Sequence, residues 1–478
     1  MHNGLIAFLL TILLSVSPLS LKADTQLPDI GGSGYSIISQ QQEYLLGRAW
    51  VRMLRGSSRL YKDAVVSQYV EELTWNLVTY SQLTDRRLEI LVLDNPTVNA
   101  FAAPGGIIGV HTGLLLTAQN EAQLASVLAH ELAHLSQRHF ASQLEEQRRN
   151  KPFFIASLLG SILLAAADPE AGVVGMQSSM AASASSRLSF SRQNEREADY
   201  IGMQTLTQAG YDPKSMADMF SQLQQQARFS RIPPEFLLTH PVTQSRVSDA
   251  LNRAETINVI NAKENSIHFN IASARIRTGY AKDQKQLLEK YLNTQKQQDN
   301  DSLRYAIAHT AIAVKDFELA QKNINRFSKS FKSRLSARLI KAELELGKEN
   351  YPEAARQLQH LRNLFPGSQA VSFIYADTQI KLNQPHLAVQ AYEDLVEKDP
   401  NDSRAWYLLA EAYGLAGDIV GVHEARIEYF LLTANVDRAL RQIDYALREP
   451  TISNTERARL EQRQEDAKEI RESLKLDY

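Results

Sequence analysis

The chain has 478 residues, room for two or three domains. Hydrophobic residues make up 44% and charged residues 22%, a globular composition, and a formal net charge of −2 leaves no basic footprint for nucleic acid. The absence of cysteine excludes disulfides, thiolate metal ligands, a cysteine nucleophile and lipid attachment at an N-terminal cysteine.

Leu5 to Val16 is an apolar stretch of signal-peptide length, too short to span a bilayer, and Pro18 breaks it. Leu21-Lys22-Ala23 ahead of Asp24 reads as a cleavage site, so residues 1–23 are expected to be removed on export. Asp24 to Gln40, with Pro28 and Gly31-Gly32-Ser33-Gly34, reads as an exposed leader. Helices are expected over Glu43–Arg55 and Asp63–Ser81. Three β-rich runs follow: Arg87–Leu93, Val98–Ala102 and Ile107–His111, with Pro104-Gly105-Gly106 as a turn. They predict a small sheet whose edge could pair with an extended peptide.

Asn120 is a good N-cap, and Gln123 three residues on forms a capping-box-like pair with it. Leu124, Val127, Leu128 and Leu132 recur at helical spacing, predicting a helix with one apolar face from Glu121 to Gln137. Its second half reads His130-Glu131-Leu132-Ala133-His134. Histidines four apart lie one turn apart on one face, so both imidazoles can reach a single metal ion. The glutamate between them can take a proton from a water there. This is the H-E-x-x-H pattern of zinc metalloproteases. Burying two histidines and a glutamate among Ala and Leu is costly unless something satisfies them, and a divalent metal does so.

A second apolar stretch, Phe153–Ala167 and then Gly172–Ala184, is interrupted by Ser157, Gly160, Ser161, Asp168, Pro169 and Glu170. It reads as a helical hairpin or lid over the site, or as ordinary core, and not as a membrane span. Beyond it, Glu195 and Asp199 lie four apart on one helical face. One carboxylate can supply the third metal ligand, and the other can hold the free ring nitrogen of a ligand histidine. A merely solvated face is the competing reading, since Arg192, Arg196 and Glu197 are adjacent.

From about Phe269 a period of 34 sets in: Ala308, Ala342, Ala376; Ala320, Ala354, Ala388; Phe327, Leu361, Leu395; Pro366 and Pro400. That is the tetratricopeptide signature, and Ala405-Trp406-Tyr407-x-Leu409-Ala410-x-x-Tyr413 fits its first helix. Gly417–Val422 reads as irregular, Ala439–Leu447 as a further helix, and Thr455–Lys475 as a solvated capping helix.

Several separated motifs resemble the M48 family of metallopeptidases: His130-Glu131-Leu132-Ala133-His134, Glu195-x-x-Ala198-Asp199, Asn99-Ala100-Phe101-Ala102, Pro104-Gly105-Gly106, Gly113-Leu114-Leu115, His240-Pro241 and Arg246. The resemblance spans about Glu43 to Arg253. It implies one Zn2+ per chain on His130, His134 and Glu195, with Glu131 as general base and Asp199 supporting a ligand histidine. It also implies His240 near the metal, either donating to the tetrahedral oxyanion or serving as a fourth ligand that blocks the water position. Arg246 would clamp the loop or the substrate. His111 and His139 lack matching spacing and read as structural.

The expected fold is mainly α with a small β-sheet. An α+β zincin-type metallopeptidase domain (24–265) precedes an all-α tetratricopeptide-repeat superhelix (266–478). Taken with the signal sequence and repeats, the resemblance extends to periplasmic family members of Gram-negative bacteria. It implies a periplasmic endopeptidase with a chaperone-like role, cleaving stalled outer-membrane β-barrel proteins and reaching them and their assembly machinery through the repeats. A repeat-based assembly chaperone with a silent protease site is the alternative. A peptide substrate, no nucleic acid and no stable transmembrane span in the mature chain complete the expectations.

Overall fold

The computed structural model describes residues 39–148, 190–229 and 234–474. The expected signal peptide, nearly all of the leader and the apolar stretch Phe153–Ala184 lie outside the described residues. Among the described residues, no helix is long and apolar enough to cross a membrane.

Helix α1 (Gln40–Ser57) starts in a capping box: Ser39 Oγ accepts from the Gln42 amide, and the Gln42 side chain accepts from the Ser39 amide. Asp63 caps α2 (Ala64–Tyr80) through the amides of Val65 and Val66. The sheet comprises β1 (Glu89–Leu93), β2 (Ala100–Ala103) and β3 (Ile107–His111). β3 lies in the middle, parallel to β1 and antiparallel to β2, which leaves β2 as an edge strand. β2 starts two residues later than its sequence suggests. Asn95 Oδ1 accepts from the Thr97 amide, and that side-chain turn holds the approach out of the ladder. The β2–β3 turn needs its glycines: Gly105 and Gly106 have φ of 74° and 79°, and a Cβ on Gly105 would stand 2.8 Å from the Glu43 carbonyl oxygen of α1.

After α3 (Thr112–Thr117) comes α4 (Glu121–Ser136), the helix of the histidine motif. Asn120 Oδ1 accepts from the Gln123 amide at 2.9 Å, but the Gln123 side chain turns back to the amide of Gln119, so the capping box is not closed. α4 is buried all round from Glu121 to His134 and not on one face only. The sheet, α2, α6 (Arg192–Gln208) and α7 (Lys214–Phe229) enclose it. α5 (His139–Arg148), α8 (Phe236–Thr239) and α9 (Gln244–Thr256) complete this half.

The remainder is helical, from α10 (Ile267–Tyr280) to α22 (Asn454–Ser473). First helices of successive pairs begin at Asp301, Leu335, Gln369 and Ser403, each 34 residues after the one before. Ala308, Ala342, Ala376, Ala320, Ala354 and Ala388 are all fully buried, because helices this close leave room for a methyl group only. The turn between paired helices takes a left-handed residue at Lys315, Glu349, Asn383 and Gly417, again 34 apart. Gly417 is therefore the regular turn of its pair. The segment after it, expected to be irregular, is helix from Ile419, because Asp418 caps it. The capping helix α22 is solvated as expected, apart from Leu460 and Ala467.

The two halves pack as one compact unit. Val65 of α2 touches two separate repeat cores, and Phe269, Ala272 and Ile276 of α10 belong to the core around α4. At the junction the buried Arg275 guanidinium binds Asp63 (2.6 Å), Glu343 (2.7 Å) and the Tyr305 hydroxyl (2.8 Å).

Candidate metal centre

The motif histidines sit where α4 is sealed on every side. Their Nε2 atoms are 3.0 Å apart and point to one place. α6 crosses beside them because Gly202 has no side chain; a Cβ there would lie 3.0 Å from the His130 Cα. That close approach delivers Glu195, whose Oε1 is 3.5 Å from His134 Nε2 and whose Oε2 is 3.6 Å from His130 Nε2. The fourth member comes from the C-terminal cap of α8. His240 Nδ1 stands 3.0 Å from Glu195 Oε1 and 3.3 Å from His130 Nε2. All four residues are buried, and their donor atoms lie within 4.8 Å of one another.

Around this set the supports differ. Asp199 Oδ1 is 3.1 Å from His130 Nδ1. Arg246 holds Asp199 with two bonds of 2.7 Å, donates to the Pro241 carbonyl at 2.9 Å and reaches Glu195 Oε2 at 2.6 Å. It thus ties the His240 loop to α6. Phe190 stacks on His134 with centroids 4.1 Å apart, and Phe236 stacks on His240 at 4.7 Å. Glu131 is fully buried, and neither of its oxygens has a well-formed hydrogen bond among the described residues. The Ala102 backbone amide and His240 Nε2, at 3.5 Å from Oε1, lie beside it.

Electrostatics point the same way. Burial pushes Glu131 up from the ordinary carboxylate range. Glu195 goes well down: the nearby His240, His130 and His134 overcome the upward push of burial. Burial alone would lower His130, but Asp199 and Glu195 raise it to about 9. His134, for which burial dominates, is held well below its usual value. Buried carboxylates that pull protons onto an imidazole are short of positive charge, and a divalent cation supplies it. Three imidazole nitrogens and one carboxylate oxygen, with no sulfur, suit Zn2+ in chemical type.

The structure therefore brings His130, Glu131, His134, Glu195, Asp199, His240 and Arg246 into one buried cluster. His111 lies apart, fully buried, with Nδ1 at 2.9 Å from Thr97 Oγ1 and 3.8 Å from Glu235. His139 does not: its Nδ1 is 3.0 Å from His134 Nδ1. No helical spacing could have found it, since α4 has ended by Gln137.

A buried H-E-x-x-H helix with a carboxylate from a second helix beside it is the centre of a metallopeptidase. The model of peptidase family M48 matches residues 64–254, and tetratricopeptide-repeat models match 305–367 and 345–412. The chain is 32% identical over 459 residues to the β-barrel assembly-enhancing protease of Escherichia coli O157:H7, covering 95% of this chain and 93% of that one. Against the Yersinia pestis protein of the same name it is 31% identical, covering 98% and 99%. The mitochondrial metalloendopeptidase OMA1 of Schizosaccharomyces pombe is 32% identical over 179 residues, 37% of this chain and 50% of that one. The chain belongs to peptidase family M48, as a metallopeptidase carrying C-terminal tetratricopeptide repeats.

Proposed function

We propose that this chain is a periplasmic zinc endopeptidase that cleaves stalled or misassembled outer-membrane β-barrel proteins and, through its repeats, assists their assembly. The observation that carries the reading is the convergence of His130, His134 and Glu195 on one buried point with the buried Glu131 carboxylate beside it. The relatives that share nearly the whole length are named for enhancing β-barrel assembly, which supports the client class.

In this reading His130, His134 and Glu195 hold the ion. When bound, Zn2+ polarises the scissile carbonyl and acidifies water. Glu131, raised by burial, is poised to accept the proton of the attacking water and pass it to the leaving amine. Asp199 holds His130 through Nδ1, and Arg246 keeps Asp199 ionised and aimed. Strand β2, an edge strand among the described residues, brings the Ala102 amide beside Glu131, and an extended client would pair along it.

Glu131→Gln tests the assignment. The protein should retain about one zinc per chain by elemental analysis while proteolysis falls by roughly 10²–10⁴-fold. Zinc lost along with activity would refute Glu131 as a base outside the ligand set.

The second reading, an assembly factor with a silent site, draws on His240. Its Nδ1 stands among the ligand atoms and its Nε2 near Glu131, which supports a fourth ligand that keeps water out. His240→Ala should then raise proteolysis. If His240 instead serves the oxyanion, the same change lowers the rate by roughly 100- to 1,000-fold.

A further inference from the structure

The two motif histidines are not supported alike. His130 passes its Nδ1 directly to Asp199, a buried carboxylate clamped by Arg246. Among the described residues, no carboxylate stands at the Nδ1 of His134. What stands there is another imidazole: His139 Nδ1, at 3.0 Å. The far nitrogen of His139, Nε2, is 3.2 Å from Glu197 Oε2. His139 is itself 3% exposed, whereas the Glu197 side chain is 46% exposed.

Proton placement along this row follows from His134. A histidine that ligates through Nε2 carries its proton on Nδ1. Two Nδ1 atoms 3.0 Å apart cannot both carry one, so the His139 Nδ1 is the acceptor. The His139 proton then sits on Nε2, facing the Glu197 carboxylate. Every donor in the row meets an acceptor, and the row runs outward from the ligand atom to solvent. The local backbone is built for it. Arg138 turns left-handed at φ 52° where α4 ends, which swings His139 back beside His134, and Arg138 Nε is fastened to Glu43 at 2.9 Å. Phe190 closes the ring face of His134, so the imidazole is held by stacking as well as at its edge.

We infer that His139 is a positioning residue: it holds His134 in the tautomer that presents Nε2 to the metal, and Glu197 orients His139 in turn. The inference rests on the reading of His134 as a ligand. A histidine there only to fill space would present no ordered donor–acceptor row and would be replaceable by any ring of its size.

Zn2+ affinity, measured by competition with a chromophoric chelator, separates the two. His139→Phe keeps a ring but removes the acceptor, and should weaken Zn2+ binding by roughly 10- to 100-fold. His139→Asn can put its side-chain oxygen where Nδ1 stands and should stay within about threefold of the unaltered protein. Glu197→Ala should fall between them. Equal affinity for the Phe and Asn variants overturns the proposal. Thermal melting of the metal-free proteins reports whether each variant folds. If His139→Phe does not, Glu197→Ala decides: an affinity equal to that of the unaltered protein overturns the proposal, and a loss of about three- to tenfold carries it. An unaltered protein that binds no Zn2+ overturns the metal-centre reading as well, while normal binding with unmoved variants overturns this inference alone.

Discussion

The metal centre and the repeat array solve opposite packing problems. In the array most buried positions are alanines and larger apolar side chains that satisfy one another within a 34-residue unit and its neighbour. In the centre the buried groups are carboxylates, imidazoles and the Arg246 guanidinium, drawn from α4, α6, the loop after α8 and α9, and each is held by its charged neighbours. Stability in the first is a matter of volume. In the second it depends on keeping each charge in place, and this divides the ways in which the two can be broken.

The largest effect is expected at Arg246. Arg246→Met removes the guanidinium that the buried Asp199 and Glu195 share, at a cost of about 3–5 kcal/mol in denaturant unfolding of the metal-free protein. A neutral result would mean that the centre does not depend on this charge. In the array, Ala354→Leu forces extra methyl groups into a fully buried position and should cost about 1–3 kcal/mol while peptide cleavage persists. Loss of cleavage at constant stability would show that the two regions are less separable than their chemistry suggests.

A smaller, signed effect concerns His111 and Glu235. Burial lowers His111 to about 3 and raises Glu235 to about 7. Below pH 6.5 the unfolded chain binds a proton at His111 that the fold refuses, so stability falls as pH drops. Glu235 works the other way. Between its unfolded value near 4.5 and its folded value near 7 the fold holds the extra proton, so stability rises as pH drops. From pH 6.5 to 5 each contributes about 2 kcal/mol, and the two nearly cancel. Glu235→Gln removes one side, and its stability should fall by about 2 kcal/mol over that interval relative to the unaltered protein. Parallel pH curves would contradict the assignment. The smallest effect is a gain. Glu349 occupies the left-handed turn position that Asn383 and Gly417 fill in later pairs, so Glu349→Gly should stabilise by about 0.5–1 kcal/mol, seen as a higher melting temperature.

The same contrast explains what could be read from the chain. The repeats were legible because their information is local and recurs: Ala320, Ala354 and Ala388 announce the period, and the structure buries all three. The ligand pairs were legible because one helical turn puts His130 beside His134 and Glu195 on the face of Asp199. The rest of the centre depends on approaches between distant segments. His139 reaches His134 only through the left-handed Arg138, and Phe190 meets His134 from outside α4. Neither follows from a spacing rule. Gly417 misled for the opposite reason: a glycine that looked like an interruption is the turn geometry that other pairs achieve with Lys315 and Glu349.

The junction at Arg275 has a mechanical side. Arg275 grips Asp63, the cap of α2. Two turns along α2, Tyr69 donates to Glu121, the first residue of α4, at 2.9 Å, and Ser266, which caps α10, bonds to the same carboxylate. Two stiff links thus separate the repeat array from the helix that carries His130 and His134. Force applied to the array would pass to that helix through these bonds.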